Sequence, residues 1–221
     1  AMLRILFKCF GWVPLPVSYF LVDVLYFPIV YHIVRYRRSV VRKNLTESFP
    51  ELSWKDIKQM ERRFYRHFCD VGVELMHQSH MSDDEAIRRV HVENAELVEQ
   101  QVQKHGGAMV YMAHYGNWEW MNMTWVNRTD IVKPMSVYRK QKNDKTTQYL
   151  LEVRERFGVH YGEKNSMFKV LMKQKKEGQL NAWYMIADQH PSVANQHYWT
   201  RFLNHDTAIL TGTEVIARKV N

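Results

Sequence analysis

From Cys9 to Val34 the chain reads CFGWVPLPVSYFLVDVLYFPIVYHIV, and Asp23 is the one certain charge in that run. About 20 apolar residues are enough for a helix to cross a bilayer, so this stretch limits what the amino-terminal part can become. Pro14, Pro16, Pro28 and Asp23 interrupt it. Two membrane modes are open to it: a kinked or tilted span, or a hairpin or interfacial segment lying in the headgroup region. Trp12, Tyr19, Tyr26 and Tyr31 suit the headgroup boundary, where rings with a polar tip prefer to sit. Arg35, Arg37, Arg38, Arg42 and Lys43 come directly after the run. Such a cluster attracts anionic lipid, worth about 1 kcal/mol per charge near the surface, and by the positive-inside rule it places the chain beyond it in the cytoplasm. The alternative is a buried helix with a solvated charged turn at its end. No small-residue cleavage site lies after the run, so a cleavable signal peptide is not expected. Residues 1–35 are read as a membrane anchor or interfacial segment, and 36–221 as one further domain.

The rest of the chain is globular in composition. Of 221 residues, 46% are hydrophobic and 24% charged, which excludes disorder and low-complexity classes. Lys and Arg number 31 against 23 acidic residues, a formal charge of +8. That balance implies an anionic partner, either nucleic acid, a membrane surface or a phosphorylated substrate. The densest basic cluster adjoins the apolar run, which favours lipid, and no nucleic-acid partner is expected. Cys9 and Cys69 cannot form a disulfide framework.

Beyond the basic cluster, Ser53 with Asp56 marks a helix start. Ile57, Met60, Phe64, Phe68, Val71 and Leu75 recur at helical spacing, so a helix is predicted from about Ser53 to His77. Ser82 with Glu85 starts a short helix, and Asn94–Lys104 forms another that ends at Gly106 and Gly107. Strands are predicted at Ala108–Ala113, Met135–Tyr138 and Leu180–Ala187. Helices are predicted at Asp144–Phe157, Ser166–Lys176 and, capped by Thr207, Ala208–Lys219. This alternation predicts an α/β domain with a mostly parallel central sheet flanked by helices.

Chemistry in such sheets sits past the carboxyl ends of the strands. Three segments qualify. In HYGNWEW, His114 leaves a strand, Gly116 loosens the turn, and Glu119 lies in the helix starting near Asn117. A carboxylate there can orient the imidazole, whose other nitrogen can take a proton from a hydroxyl. A structural histidine beside an unrelated glutamate has the same spacing. In YRKQKN, Arg139, Lys140 and Lys142 could grip a phosphate or a developing oxyanion, or form a solvated basic loop. In ADQHPS, Asp188 and Gln189 come after an apolar run, where a carboxylate is functional or paired. His190, His197 and His205 match no zinc spacing and have no cysteine nearby, so no metal is expected. There is no Gly-x-Ser-x-Gly elbow and no cysteine placed as a nucleophile. Direct attack by a base-activated acceptor is therefore the expected chemistry.

Five segments together resemble the bacterial lipid A biosynthesis (late, Kdo-dependent) acyltransferases, within the lysophospholipid acyltransferase-like family. In order they are RYRRSVVRKNLTESFPELS, RRFYRHFCDVGVELM, HYGNWEW, YRKQKN, and ADQHPS with WTRFLNHDTAILTGTEVIARK. The likeness runs from about residue 15 to the end and is closest to versions from the Bacteroides group. It implies a glycerolipid-acyltransferase-like fold at the inner membrane, with its catalytic domain on the cytoplasmic face. It implies transfer of an acyl chain from an acyl carrier protein or coenzyme A thioester to a hydroxyl of a lipid A precursor, with no cofactor. Other acceptors, such as a glycerophospholipid, an amino-acid lipid or a phosphoinositol mannoside, fit the motifs equally, and a non-enzymatic membrane-surface protein is the remaining alternative class. By resemblance His114 is the general base and Glu119 its orienting acid. Arg139 meets substrate phosphate or transition-state charge, with Lys140 read beside it as a substrate-binding cation, Asn117 meets acceptor or carrier, and Asp188 and Gln189 shape the site. Family members continue beyond the last matching helix, so the resemblance also implies a longer protein, whose remaining part completes the sheet and covers the acyl groove.

Overall fold

The computed structural model describes residues 2–126, 132–140 and 143–220, without the side chains of 2–4 and 6. They fall into two compact units. One gathers Ile5–His80 with Trp199–Ala208, and the other is built mainly from Met81–Tyr198 and the last helix.

The first unit is mainly helical. Helix α1 (Met2–Gly11) ends against the carboxyl end of α4 (Trp54–Gln78). A Cβ on Gly11 would lie 2.7 Å from the carbonyl oxygen of Met76, so only glycine fits there. Pro14 precedes α2 (Leu15–Leu21), where a proline near the first turn costs no hydrogen bond. The helix then runs on through two π-helical stretches, Val22–Tyr26 and Ile29–Val34. Arg35 and Arg37 adopt left-handed backbone angles, turning the chain into α3 (Arg38–Ser48). Helix α4 starts as its sequence predicts: the Ser53 hydroxyl accepts the Asp56 N–H. Its apolar face buries Cys69 and Val73 against Val22, with Tyr19, Phe27 and Met76 around them.

Two of the five clustered cations face inward. Glu61 is 0% exposed, and its carboxylate takes hydrogen bonds from Arg38 (2.6 Å) and Arg42 (2.7 Å). Burial alone would raise the Glu61 pKa. The hydrogen bonds from Arg42 and Arg38 outweigh it and hold the carboxyl below its ordinary value. Arg35, Arg37 and Lys43 remain exposed.

The second unit is the predicted α/β fold. Helices α5 (Asp83–Arg89) and α6 (Glu96–His105) lead into the sheet, and α6 stops at Gly106 in the left-handed conformation. Strands β1 (Gly107–Met112), β2 (Lys133–Tyr138), β3 (His160–Glu163) and β4 (Asn181–Ile186) form one sheet in the order β1-β4-β2-β3, with every pairing parallel. Helices α7 (Asp144–Glu155) and α8 (Met167–Lys176) make the crossovers. Successive residues of β4 pack on opposite faces. Ala182 joins Val102, Trp125, Val132 and Val159, while Trp183 joins Met135, Met167, Leu171 and, from α9 (Gly212–Val220), Ile216. Burial on both faces is what a parallel strand between helical layers needs. Each large apolar side chain so buried contributes about 1.5–3 kcal/mol.

Three features depart from the sequence prediction. Strand β3 has no counterpart in it. The last helix begins at Gly212 rather than Ala208. Thr207 and Ala208 instead belong to β6 (His205–Ala208), paired antiparallel with β5 (Trp199–Phe202) in the first unit. Left-handed Leu203 and Asn204 make the turn between them, and the Asn204 amide donates to the carbonyl of Ser48.

Candidate active site

The pairing of β1 with β4 builds the site. Met112 lies opposite Ile186 in parallel register, and the next link of the ladder runs from the Ala187 N–H to the Met112 carbonyl. Carried two residues further, the same register sets His114 beside Asp188. The contact is made twice. One carboxylate oxygen meets His114 Nδ1 at 2.7 Å, and the other accepts the His114 backbone N–H at 2.8 Å. Burial would raise the Asp188 pKa. The His114 side-chain and backbone hydrogen bonds prevail and hold it below the ordinary aspartate value. An ionised carboxylate only accepts, so Nδ1 carries the proton and the Nε2 lone pair is left for chemistry.

Nε2 lies 3.4 Å from the Gln189 amide nitrogen, a long contact. Trp118 packs edge-on against the imidazole, with ring centroids 4.8 Å apart. Gly116, at φ 58°, turns the chain between His114 and the 3-10 helix Trp118–Trp125.

Glu119 does not touch His114. The 3-10 helix turns its side chain inward, where both carboxylate oxygens are held by Arg154 of α7, one of them by Nε at 2.8 Å. The sequence expectation pairs Glu119 with the imidazole; in the structure the carboxylate hydrogen-bonded to it is that of Asp188. The Glu119–Arg154 pair belongs to a buried network. Tyr161 of β3 donates to Asn122 Oδ1 (2.6 Å), and the Asn122 amide donates to the Glu119 carbonyl (2.9 Å). Burial pushes the Tyr161 hydroxyl up to about 12, so it stays a donor. Burial also opposes the Arg154 charge, but the Glu119 hydrogen bonds and charge more than restore it. The network ties the helix after the His114 turn to α7 and β3. Arg154 and Asn122 escaped the sequence reading, because a single arginine in LEVRERF looks like any solvated helix cation.

The remaining predicted residues are spread along the site. Asn117 caps the 3-10 helix, its side-chain oxygen accepting the Glu119 N–H at 3.2 Å. Arg139 and Lys140 leave the end of β2, with β4 lying between that strand and β1. Strand spacing of about 4.8 Å puts them about 10 Å across the sheet edge from the histidine's strand. Lys140 pairs with Asp144 at 3.1 Å on the exposed surface. Lys142 lies outside the described residues. His190 Nδ1 bonds the Pro191 carbonyl oxygen. Among the described residues no three His, Cys, Asp or Glu side chains gather to hold a metal ion.

A cavity of about 440 Å³ opens beside Asp188, lined largely by Tyr111, Met112, Tyr198, Ile209 and Leu210. Its volume is in the range of small-molecule sites, about 300–1,000 Å³. The arrangement joins an oriented imidazole to Asp188, which also lines a largely apolar cavity, with cations further along the same edge of the sheet.

Compared with known families, the sequence matches the one described as bacterial lipid A biosynthesis acyltransferase over residues 4–221. No curated protein matches the chain.

Proposed function

The chain belongs to the bacterial lipid A biosynthesis acyltransferase family and is an acyltransferase, and on that premise we propose that it acylates a hydroxyl of a phosphorylated glycolipid through His114. The observation that carries the reading is the double hold of Asp188 on His114, which fixes the tautomer a general base requires.

In the proposed reaction the acyl chain of a carrier-protein or coenzyme A thioester lies in the cavity beside Asp188. Arg139 and Lys140 meet the acceptor's phosphate. His114 Nε2 removes the hydroxyl proton, and the alkoxide oxygen attacks the thioester carbonyl carbon. N–H groups of the Gly116 turn hydrogen-bond the tetrahedral oxyanion. The C–S bond then breaks, and the imidazolium returns its proton to the leaving sulfur, giving an ester and a free thiol. Asp188 keeps the imidazole in register and stabilises its charged form. Glu119 acts at a distance, by holding the 3-10 helix and hence the turn that bears His114. The enzyme works at the cytoplasmic face of the inner membrane, where the acceptor keeps its own chains in the lipid.

Mass spectrometry of lipids after incubation of the purified protein with either thioester tests this. The expected product is a lipid A precursor heavier by one acyl group. Mass gain only on a glycerophospholipid or an amino-acid lipid would keep the chemistry and replace the acceptor. Release of free fatty acid with every acceptor would contradict the transfer.

A further inference from the structure

We propose that the apolar helix Leu15–Val34 lies in the plane of the membrane interface, its outer face in an anionic phospholipid leaflet, and does not cross the bilayer. This rests on the reading that the protein works at a membrane and decides how it is held there.

The helix is long and apolar enough to span. What prevents it is its partner. It packs antiparallel along α4 over its length. The Tyr19 hydroxyl donates to Glu74 at 2.6 Å, Val22 packs on Cys69 and Val73, and Asp23 pairs with Arg66 at 2.6 Å. The Arg66 guanidinium covers the Phe27 ring, Tyr31 packs at a tilt against Tyr65, and Arg38 then reaches Glu61. Between Glu61 and Glu74, α4 carries Glu61, Arg62, Arg63, Arg66, Asp70 and Glu74. A helix with that many charges does not enter hydrocarbon beside its neighbour. To span, Leu15–Val34 would have to leave α4. That would strip cover from the helix pair's core, in which Val22 is 0% exposed, and break the Asp23–Arg66 and Tyr19–Glu74 contacts.

The face turned away from α4 is apolar and bare. Phe20 is 63% exposed and Ile33 74%, with Val17, Val24 and Val34 also exposed. A helix with one side on protein and the other side apolar fits an interface, where its outer side reaches the acyl boundary. The chemistry next to it suits headgroups. Arg35 and Arg37 are exposed where the helix ends. Tyr36 stacks on Phe68 and Phe68 on Phe64 around a groove that Arg37 also lines. Cations interleaved with half-exposed aromatic rings favour an anionic leaflet.

Topology is read by labelling with a membrane-impermeant maleimide in right-side-out and inverted vesicles of a bacterial host. Cys9 is exposed and precedes the helix; Cys69 is buried, its thiol pushed up to about 11, and stays unlabelled at neutral pH. Lys43→Cys in a Cys9→Ser background marks the other end. The proposal requires Cys9 and the residue-43 thiol to label from the same face, and labelling from opposite faces would overturn it. Protein found only in the soluble fraction would overturn both this proposal and the membrane reading beneath it. A second measurement uses exposed positions, whose change leaves the fold intact. Phe20→Ser with Ile33→Ser should lower partitioning onto phosphatidylglycerol vesicles about tenfold or more, and unchanged partitioning would also overturn the in-plane placement.

Discussion

Asp188 holds His114 at two points, one carboxylate oxygen on the ring Nδ1 and the other on the backbone N–H. The histidine is thus fixed in both rotamer and tautomer by a residue at the end of the neighbouring strand. Asp188→Asn presents an amide that can donate to Nδ1 and so favours the wrong tautomer. Turnover should fall by about 10² to 10⁴-fold with little change in KM. Steady-state kinetics on a fixed acceptor separate the two parameters.

Glu119 and Arg154 make a testable contrast. Glu119→Ala leaves the Arg154 charge mostly buried and unpaired, which should cost about 3–5 kcal/mol of stability. Glu119→Met with Arg154→Met removes both charges and should recover most of that loss. Urea unfolding of the two variants measures the difference. Activity of the double variant tracks how well the hydrophobic pair still holds the His114 turn.

Glu61 links stability to pH. Its carboxyl is held below the ordinary glutamate value in the folded protein. The stabilisation is therefore fully present above about pH 4.3, the unfolded value, and is lost as pH falls through the depressed folded value. Glu61→Gln should be less stable at neutral pH and show a flatter dependence below about pH 4. Thermal unfolding from neutral to strongly acidic pH checks the sign.

Gly116 sits at φ 58° with open space around its Cβ position. Gly116→Ala therefore meets no clash and carries only the left-handed backbone penalty, about 1–2 kcal/mol. The expected outcome is a modest drop in Tm with a larger drop in turnover, because relaxing this φ displaces His114. A calorimetric scan paired with an activity assay separates the effects.

The elements that repeat a strong period are readable from sequence. Helix α4 announces itself by its spacing and the Ser53 cap, and the strands that lead to His114, Arg139 and Asp188 by short apolar runs between glycine-marked helices. The pairing of His114 with Asp188 is not readable in that way. It depends on β4 inserting beside β1, and strand order is set by packing rather than by local pattern. Strand β3 escapes prediction because His160, Gly162 and Glu163 have little strand character, and its pairing with β2 supplies what propensity lacks. The β5–β6 hairpin escapes it because Leu203 and Asn204 make its turn without a glycine. The basic cluster reads in sequence as five lipid-facing cations. Two of them neutralise Glu61, a buried charge that looks like ordinary helix surface in the sequence.

The most direct test of the central claim is the single-turnover rate of acyl transfer by purified His114→Ala. It should be run with saturating thioester and acceptor, and with circular dichroism to confirm the fold. If His114 is the base, the rate falls by at least about 100-fold while the spectrum stays native. A native-like protein that retains a near-normal rate would contradict the account.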